Sequence, residues 1–133
     1  VIAFASLGRN VPFAFNRKEK KDHGEGGVII GTPLKGRVLI VDDVISAGTS
    51  VNESVNLILE EGAKPSGIAI SIDREEKGTG LLSAVEEIKE THHLPICHLT
   101  SLQEIMRYIE HHETYASHIN AMRDYQKVYG IKA

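Results

Sequence analysis

Apolar residues along this chain follow two spacings. Short unbroken apolar runs alternate with longer stretches in which apolar positions recur every three or four residues. The first spacing marks strands and the second marks amphipathic helices. Residues 1–8 read as the second half of an amphipathic helix ending at a glycine cap, Gly8. Residues 11–15 form a short strand with Pro12 near its start, where proline is tolerated. A polar, glycine-ending loop covers residues 16–27, and a short apolar stretch follows at 28–30. The central strand is 37–41; its apolar part, 38–41, is rich in β-branched residues and reads as buried on both faces of a parallel sheet.

Val51, Val55, Ile58 and Leu59 predict a helix over 49–61, stopped by Gly62. A strand at 68–72 leads into a charged turn at 73–80. Leu81, Leu82, Val85 and Ile88 mark another helix, and 95–99 another strand. Thr100 or Ser101 then caps a helix carrying Leu102, Ile105, Met106 and Ile109, and Ser101 with Glu104 has the capping-box form. A last helix spans 114–129 and ends at Gly130. The stripes on these two helices, with Tyr108, Tyr115 and Tyr129, read as core packing, a subunit contact being the alternative.

Strands alternating with helices imply crossover connections and a mostly parallel α/β sheet flanked by helices, in one domain over 1–133. Composition adds limits. Apolar residues at 41% and charged residues at 25% suit a globular domain. The net charge of −3 argues against general nucleic-acid binding. No apolar run is long enough to span a bilayer, and no signal-peptide pattern is present. Cys97 has no internal disulfide partner; it reads as a buried, inert thiol in a cytoplasmic protein. The chain begins with Val1 rather than Met, which leads us to expect a fragment.

The chemistry concentrates in residues 38–50. An apolar strand ends in Asp42 and Asp43, and Val44, Ile45, Ser46, Ala47, Gly48, Thr49 and Ser50 lead into a helix. In parallel sheets, ligands sit beyond the carboxyl ends of the strands, where the two acids fall. Small hydroxyl residues around one glycine, backed by a helix N-terminus, offer amide donors to a phosphate. Two acids beside such a cradle suit a phosphorylated sugar, through its hydroxyls or through magnesium. An ordinary strand-to-helix turn, with Asp43 or Ser46 as cap, is the alternative.

A second segment carries Arg17, Lys18, Lys20, Lys21 and His23, followed by Gly24, Gly26 and Gly27. Its cations could neutralise a pyrophosphate and its glycines could let it swing as a lid; a solvated charged loop is the alternative. A third is Arg74, expected at the carboxyl end of a strand beside the Asp-Asp strand, so that both face one crevice. A guanidinium fork can receive a planar anionic group. Taken alone, Arg74 would be read as a surface ion pair with Glu75 or Glu76.

The run 38–50 resembles the sugar-donor motif of the type I phosphoribosyltransferases. It lacks the Gly-Lys-Ser/Thr of a Walker A loop. The string 17–27 and the segment 70–78 resemble, more narrowly, the orotate phosphoribosyltransferases. This resemblance implies a type I phosphoribosyltransferase-like (Rossmann-like) fold, N-terminally incomplete here. It implies transfer of the phosphoribosyl group of 5-phosphoribosyl 1-pyrophosphate to orotate, in pyrimidine biosynthesis, with magnesium required. Arg17, Lys18, Lys21 and His23 would contact the pyrophosphate, Asp42 and Asp43 the ribose hydroxyls, and Ser46 to Ser50 the 5′-phosphate, with Val44 and Ile45 also among the substrate-binding residues. Ser46, where the family commonly has threonine, would also touch orotate together with Arg74. Lys21, His23, Asp42 and Asp43 would carry the catalysis. The family's members are homodimers, and Lys18 would act across the interface. The family's N-terminal segment has no counterpart in these residues.

His92-His93 and His111-His112 do not have metal-ligand spacing, since sequence neighbours point to different helix faces. Asn52-Glu53-Ser54 matches a glycosylation pattern but falls in the first turns of a helix. Two other functions remain open at this point. One is transfer to a different base; the other is a non-catalytic module that senses a sugar phosphate.

Overall fold

The computed structural model describes residues 2–16, 29–46 and 49–131. At its centre is a parallel three-stranded sheet in the order β3-β4-β5, where β3 is Arg37–Asp42, β4 Lys64–Asp73 and β5 Ile96–Ser101. Strands β1 (Ala14–Asn16) and β2 (Ile29–Gly31) pair antiparallel as a separate two-stranded sheet, an arrangement the strand pattern did not predict. The helices are α1 (Ile2–Ser6), α2 (Thr49–Glu60), α3 (Ala84–His92), α4 (Leu102–Glu110) and α5 (Ile119–Tyr129), with a 3-10 helix at Glu113–His118.

Helix α2 joins β3 to β4, and α3 joins β4 to β5. Both place their apolar stripes in one core. Val51, Val55 and Ile58 of α2 and Ala84 and Ile88 of α3 are buried together with Ile40, Ile68 and Ile70 of the sheet. Two crossovers running the same way along a parallel sheet put their helices on one face. A bond between the helices supports this: His92 Nε2 lies 2.5 Å from Asn52 Oδ1. Asn52 is therefore packed within the helix pair and is not a loop acceptor.

Helix α2 matches its predicted span and stops as expected. Gly62 takes φ +74°, a conformation that costs glycine little, and the amide of Ala63 donates back to Ile58 O at 3.0 Å. Leu59, counted in its apolar stripe, is instead exposed on the outer side. Ser101 caps α4 through the predicted capping box with Glu104. A second box, unforeseen, starts α3 at Ser83 with Glu86. The helix therefore begins at Ala84, and Leu81 lies outside it and exposed. Strand β1 begins at Ala14, three residues later than expected, and no residue of α1 is buried.

Four readings need correction. Strand β3 is not buried on both faces: Ile40 faces the helices, while Leu39 and Val41 point to the opposite, open side. Cys97 is exposed, because its register with Ala69 and Val41 puts it on that same open face. The segment expected as one final helix divides at His118–Ile119 into the 3-10 helix and α5. Tyr108, Tyr115 and Tyr129 are about half exposed and do not form core. Gly130, which ends α5, is extended and not left-handed; a side chain there would stand 2.5 Å from Gln126 O.

Candidate functional site

The site is built at the carboxyl ends of β3 and β4. Asp42 is the last residue of β3, and its carboxylate accepts from the Asp43 amide at 2.9 Å and from Ser50 Oγ at 3.3 Å. The acid at the strand tip is thereby tied to the first turn of α2. Asp43 follows in a bend. Its Oδ1 accepts from the Val44 amide at 2.8 Å, and its carbonyl oxygen accepts from the amides of Ser71 and Ile72 on β4. The backbone between the acids is thus held by β4 on one side and by its own side chains on the other. Ile45 is buried and anchors the loop to the core, while Ser46 is exposed. Thr49 and Ser50 open α2, and both are exposed.

Arg74 stands one residue past the end of β4. Its Nη2 donates to Ser46 Oγ and to Glu76 Oε2, the latter at 3.1 Å. The ion pair and the loop contact therefore coexist. The guanidinium meets the loop that follows the two acids, and the carboxylate beside it steadies it. Arg74 Nε is buried without a partner among the described residues, so the fork keeps donor capacity. Glu76 also accepts from Tyr125 Oη on α5. That hydrogen bond, followed by burial, pushes the Tyr125 phenol above its ordinary value, so it stays a donor at neutral pH.

Asp42, Asp43, Val44, Ile45, Ser46, Thr49, Ser50 and Arg74 thus share one end of the sheet. Arg17, Lys18, Lys21, His23, Ala47 and Gly48 lie outside the described residues. A groove lined by Asn16, Leu34, Leu39, Val41 and Ser54, among others, runs along the free edge of β3; Asp42, Asp43 and Arg74 are not in its lining. Among the described residues its lining is mainly apolar and holds no ionisable side chain. Tyr125 was missed as part of this cluster, whereas Glu76 was anticipated only as an alternative ion-pair partner of Arg74. Glu76 had a signal, its place two residues from Arg74; Tyr125, 49 residues further along, had none. Among the described residues no group of three or more His, Cys, Asp or Glu side chains could hold a metal ion unaided. Among them, too, no helix is long and apolar enough to cross a membrane.

A phosphoribosyl transferase domain profile matches residues 2–81, which include β3, the acid pair, the loop, α2 and Arg74. The chain belongs to this family. Phosphoribosyl transferase domains with similar sequences include the orotate phosphoribosyltransferase of Chromobacterium violaceum, 55% identical over 98% of this chain and 61% of the relative. That of Thiobacillus denitrificans is 52% identical over 98% and 62%. The chain therefore spans about 60% of the length of the curated relatives it matches. Among solved structures, the orotate phosphoribosyltransferase of Francisella tularensis aligns with TM-score 0.72 and 31% identity, over 97% of this chain and 58% of that one. The Leishmania donovani UMP synthase, 20% identical with TM-score 0.70 over 96% of this chain and 26% of that one, speaks for the fold alone. The expected type I phosphoribosyltransferase fold is the one observed.

Proposed function

We propose that this chain carries the catalytic machinery for transferring the phosphoribosyl group of 5-phosphoribosyl 1-pyrophosphate to orotate, releasing pyrophosphate and forming orotidine 5′-phosphate. The observation that carries this reading is the contact of Arg74 with Ser46 on the loop directly after Asp42-Asp43. It supports reading Arg74 as a receptor for an anionic base beside a cradle for a sugar phosphate. Relatives named for this activity, at 52–55% identity, support the same base.

Exchange at an anomeric carbon passes through a cationic, oxocarbenium-like sugar, so the site must steady two separating charges. Asp42 and Asp43 lie on the side of the electron-poor ribose and accept its hydroxyls. Amides and hydroxyls of residues 46–50 hold the 5′-phosphate, which leads the sugar into a fixed position before reaction. Arg74 and Ser46 orient orotate so that its ring nitrogen faces the anomeric carbon. Arg17, Lys18, Lys21 and His23 belong to the leaving pyrophosphate, with Lys18 supplied by the partner protomer of a homodimer. Lys21 is assigned the main share of charge stabilisation there, and His23 a secondary charge or proton donor.

Magnesium fits this donor set. Asp42 and Asp43 are hard oxygen ligands at an exposed strand tip, and this ion usually takes one or two carboxylates together with substrate phosphates. When bound, it would offset charge on the pyrophosphate. A cytoplasmic location goes with this chemistry, since a lone cysteine needs no oxidising compartment.

The test is a base-panel assay with the sugar donor and magnesium, following loss of orotate and release of pyrophosphate. Turnover with orotate and not with purines is expected. Transfer to another base, or donor binding with no transfer to any base, would overturn the reading in favour of a different transferase or a sensor. Lys21→Ala should then lower kcat far more than donor affinity.

A further inference from the structure

Arg74 is not left to solvent to orient. Its turn is held from several sides. The amide of Glu75 donates to Asp73 Oδ1 at 2.9 Å, and Glu75 itself sits at φ +54°. Its carboxylate accepts from the Gln103 amide in the first turn of α4. Beyond it, Glu76 bridges to Gly130, and the amide of Lys77 donates to Tyr129 O at 2.8 Å. At Gly130 itself a side chain would collide with the carbonyl of Gln126 in the last turn of α5. The end of α5 is therefore fixed by backbone bonds to the segment just after Arg74.

A side-chain relay lies on top of this backbone bracing. Tyr125 Oη donates to one oxygen of Glu76, and the other oxygen takes Arg74 Nη2 and approaches Ser46 Oγ at 3.4 Å. The Glu76 side chain is only 15% exposed, so little water competes for it. A carboxylate free to rotate could pull the guanidinium away from Ser46; one pinned at its far oxygen cannot. Charge-assisted bonds of this kind are directional and among the stronger ones in proteins.

We infer that Tyr125 and Glu76 are positioning residues for base recognition: Tyr125 fixes Glu76, and Glu76 aims the Arg74 fork beside Ser46 toward the incoming base. The inference rests on Arg74 as base receptor. It places part of the specificity for a planar anionic base on the last helix, remote in sequence from the sugar-phosphate motif. The backbone bonds hold α5 in place without Tyr125, so losing its hydroxyl should disturb aim more than fold.

The experiment compares the parent with Tyr125→Phe and Glu76→Gln, recording the KM for orotate, the KM for the sugar donor, and the melting temperature. Tyr125→Phe should raise the orotate KM about tenfold, the usual scale for a lost bond to a charged group. The donor KM and the melting point should hold. Glu76→Gln should act in the same direction and more strongly, because the bond to the guanidinium loses its charge assistance. If the parent uses orotate but both variants keep its KM within about twofold, or if both KM values move together with the melting point, the inference falls. If the parent uses another base instead, the proposed substrate falls, and the same KM comparison on that base still decides the inference. NMR relaxation of the Arg74 Nε–H reads aim without turnover. Order in the parent that is lost in Tyr125→Phe supports the relay, and equal order in both overturns it.

Discussion

Across the parallel sheet, Ile40, Ile68 and Ile96 stand in one row and Val41, Ala69 and Cys97 in the next. The first row faces α2 and α3, and Ile68 at its middle is 1% exposed. The second row faces away; Val41 is 74% exposed, and Leu99, two residues beyond Cys97 on β5, is 87% exposed. Both rows are apolar, so hydrophobicity alone does not distinguish them. The difference lies in what each crossover covers, since both helices of a same-handed pair go to one side. An apolar run on a strand says that either face can be buried; only the neighbours decide which one is.

The comparison breaks most sharply at Ile68. Truncating it to alanine removes the centre of the covered row and leaves a cavity between sheet and helices. Ile68→Ala should cost about 3 kcal/mol, seen as a lower midpoint in urea with little change in slope. A loss below about 1 kcal/mol would mean that this row is not the main core.

That asymmetry also marks what could be read from residues alone. Helix α2, the capping box at Ser101 and the order of strand and helix were legible because each is set by a few neighbouring residues. Asp42, Asp43 and Arg74 were legible as candidates because they stand at or just past strand ends, where the period of apolar residues stops, and Ser46 because it belongs to the small-residue loop that follows. The exposure of Val41 and Cys97 was not, since it depends on which side two helices take. Nor was the link from Tyr125 to Glu76, a contact between segments that share no local pattern. The break between the 3-10 helix and α5 was hidden for a related reason. No glycine or proline interrupts Glu113–Tyr129, so the helical spacing reads straight through it.

A smaller effect is expected where β5 passes into α4 behind the covered row. Ser101 Oγ accepts from the Glu104 amide, and Glu104 returns a bond to the Ser101 amide at 2.9 Å. Ser101→Ala should cost about 1 kcal/mol. Restoring the cap with Ser101→Asp should recover most of it, which separates capping from a loss of packing. Failure of the aspartate to rescue would place the contribution of Ser101 in its burial.

Glu87 on α3 offers a pH-dependent probe of the same side. Backbone amides of Thr79 and then Gly80, with the Thr79 hydroxyl, donate to its carboxylate and hold it below the ordinary carboxylate value. A lowered folded value means that stability from this group is present above the ordinary range and is lost as pH falls through the folded value. Glu87→Gln should therefore be less stable than the parent near neutral pH, with the gap closing on acidification below about pH 4.5. A gap that stays constant with pH would assign the difference to shape alone. The group is exposed at the surface, and the effect should also weaken in salt.

The smallest change is expected on the open row, and it tests the comparison from its other side. Val41→Thr keeps the β-branched shape and replaces one methyl with a hydroxyl. At a buried position, the unpaired hydroxyl would cost on the order of 1–3 kcal/mol. With Val41 facing water, the hydroxyl stays solvated and stability should move by less than about 0.5 kcal/mol. Cys97, in register with the same row, should react with a thiol reagent at the rate of a free cysteine under the same native conditions. A large penalty at Val41 together with a protected Cys97 would show that this face is covered in solution, and the contrast between the two rows would then vanish. A small penalty with a reactive thiol keeps the contrast, because the two probes read water at adjacent points of one surface through unrelated chemistry.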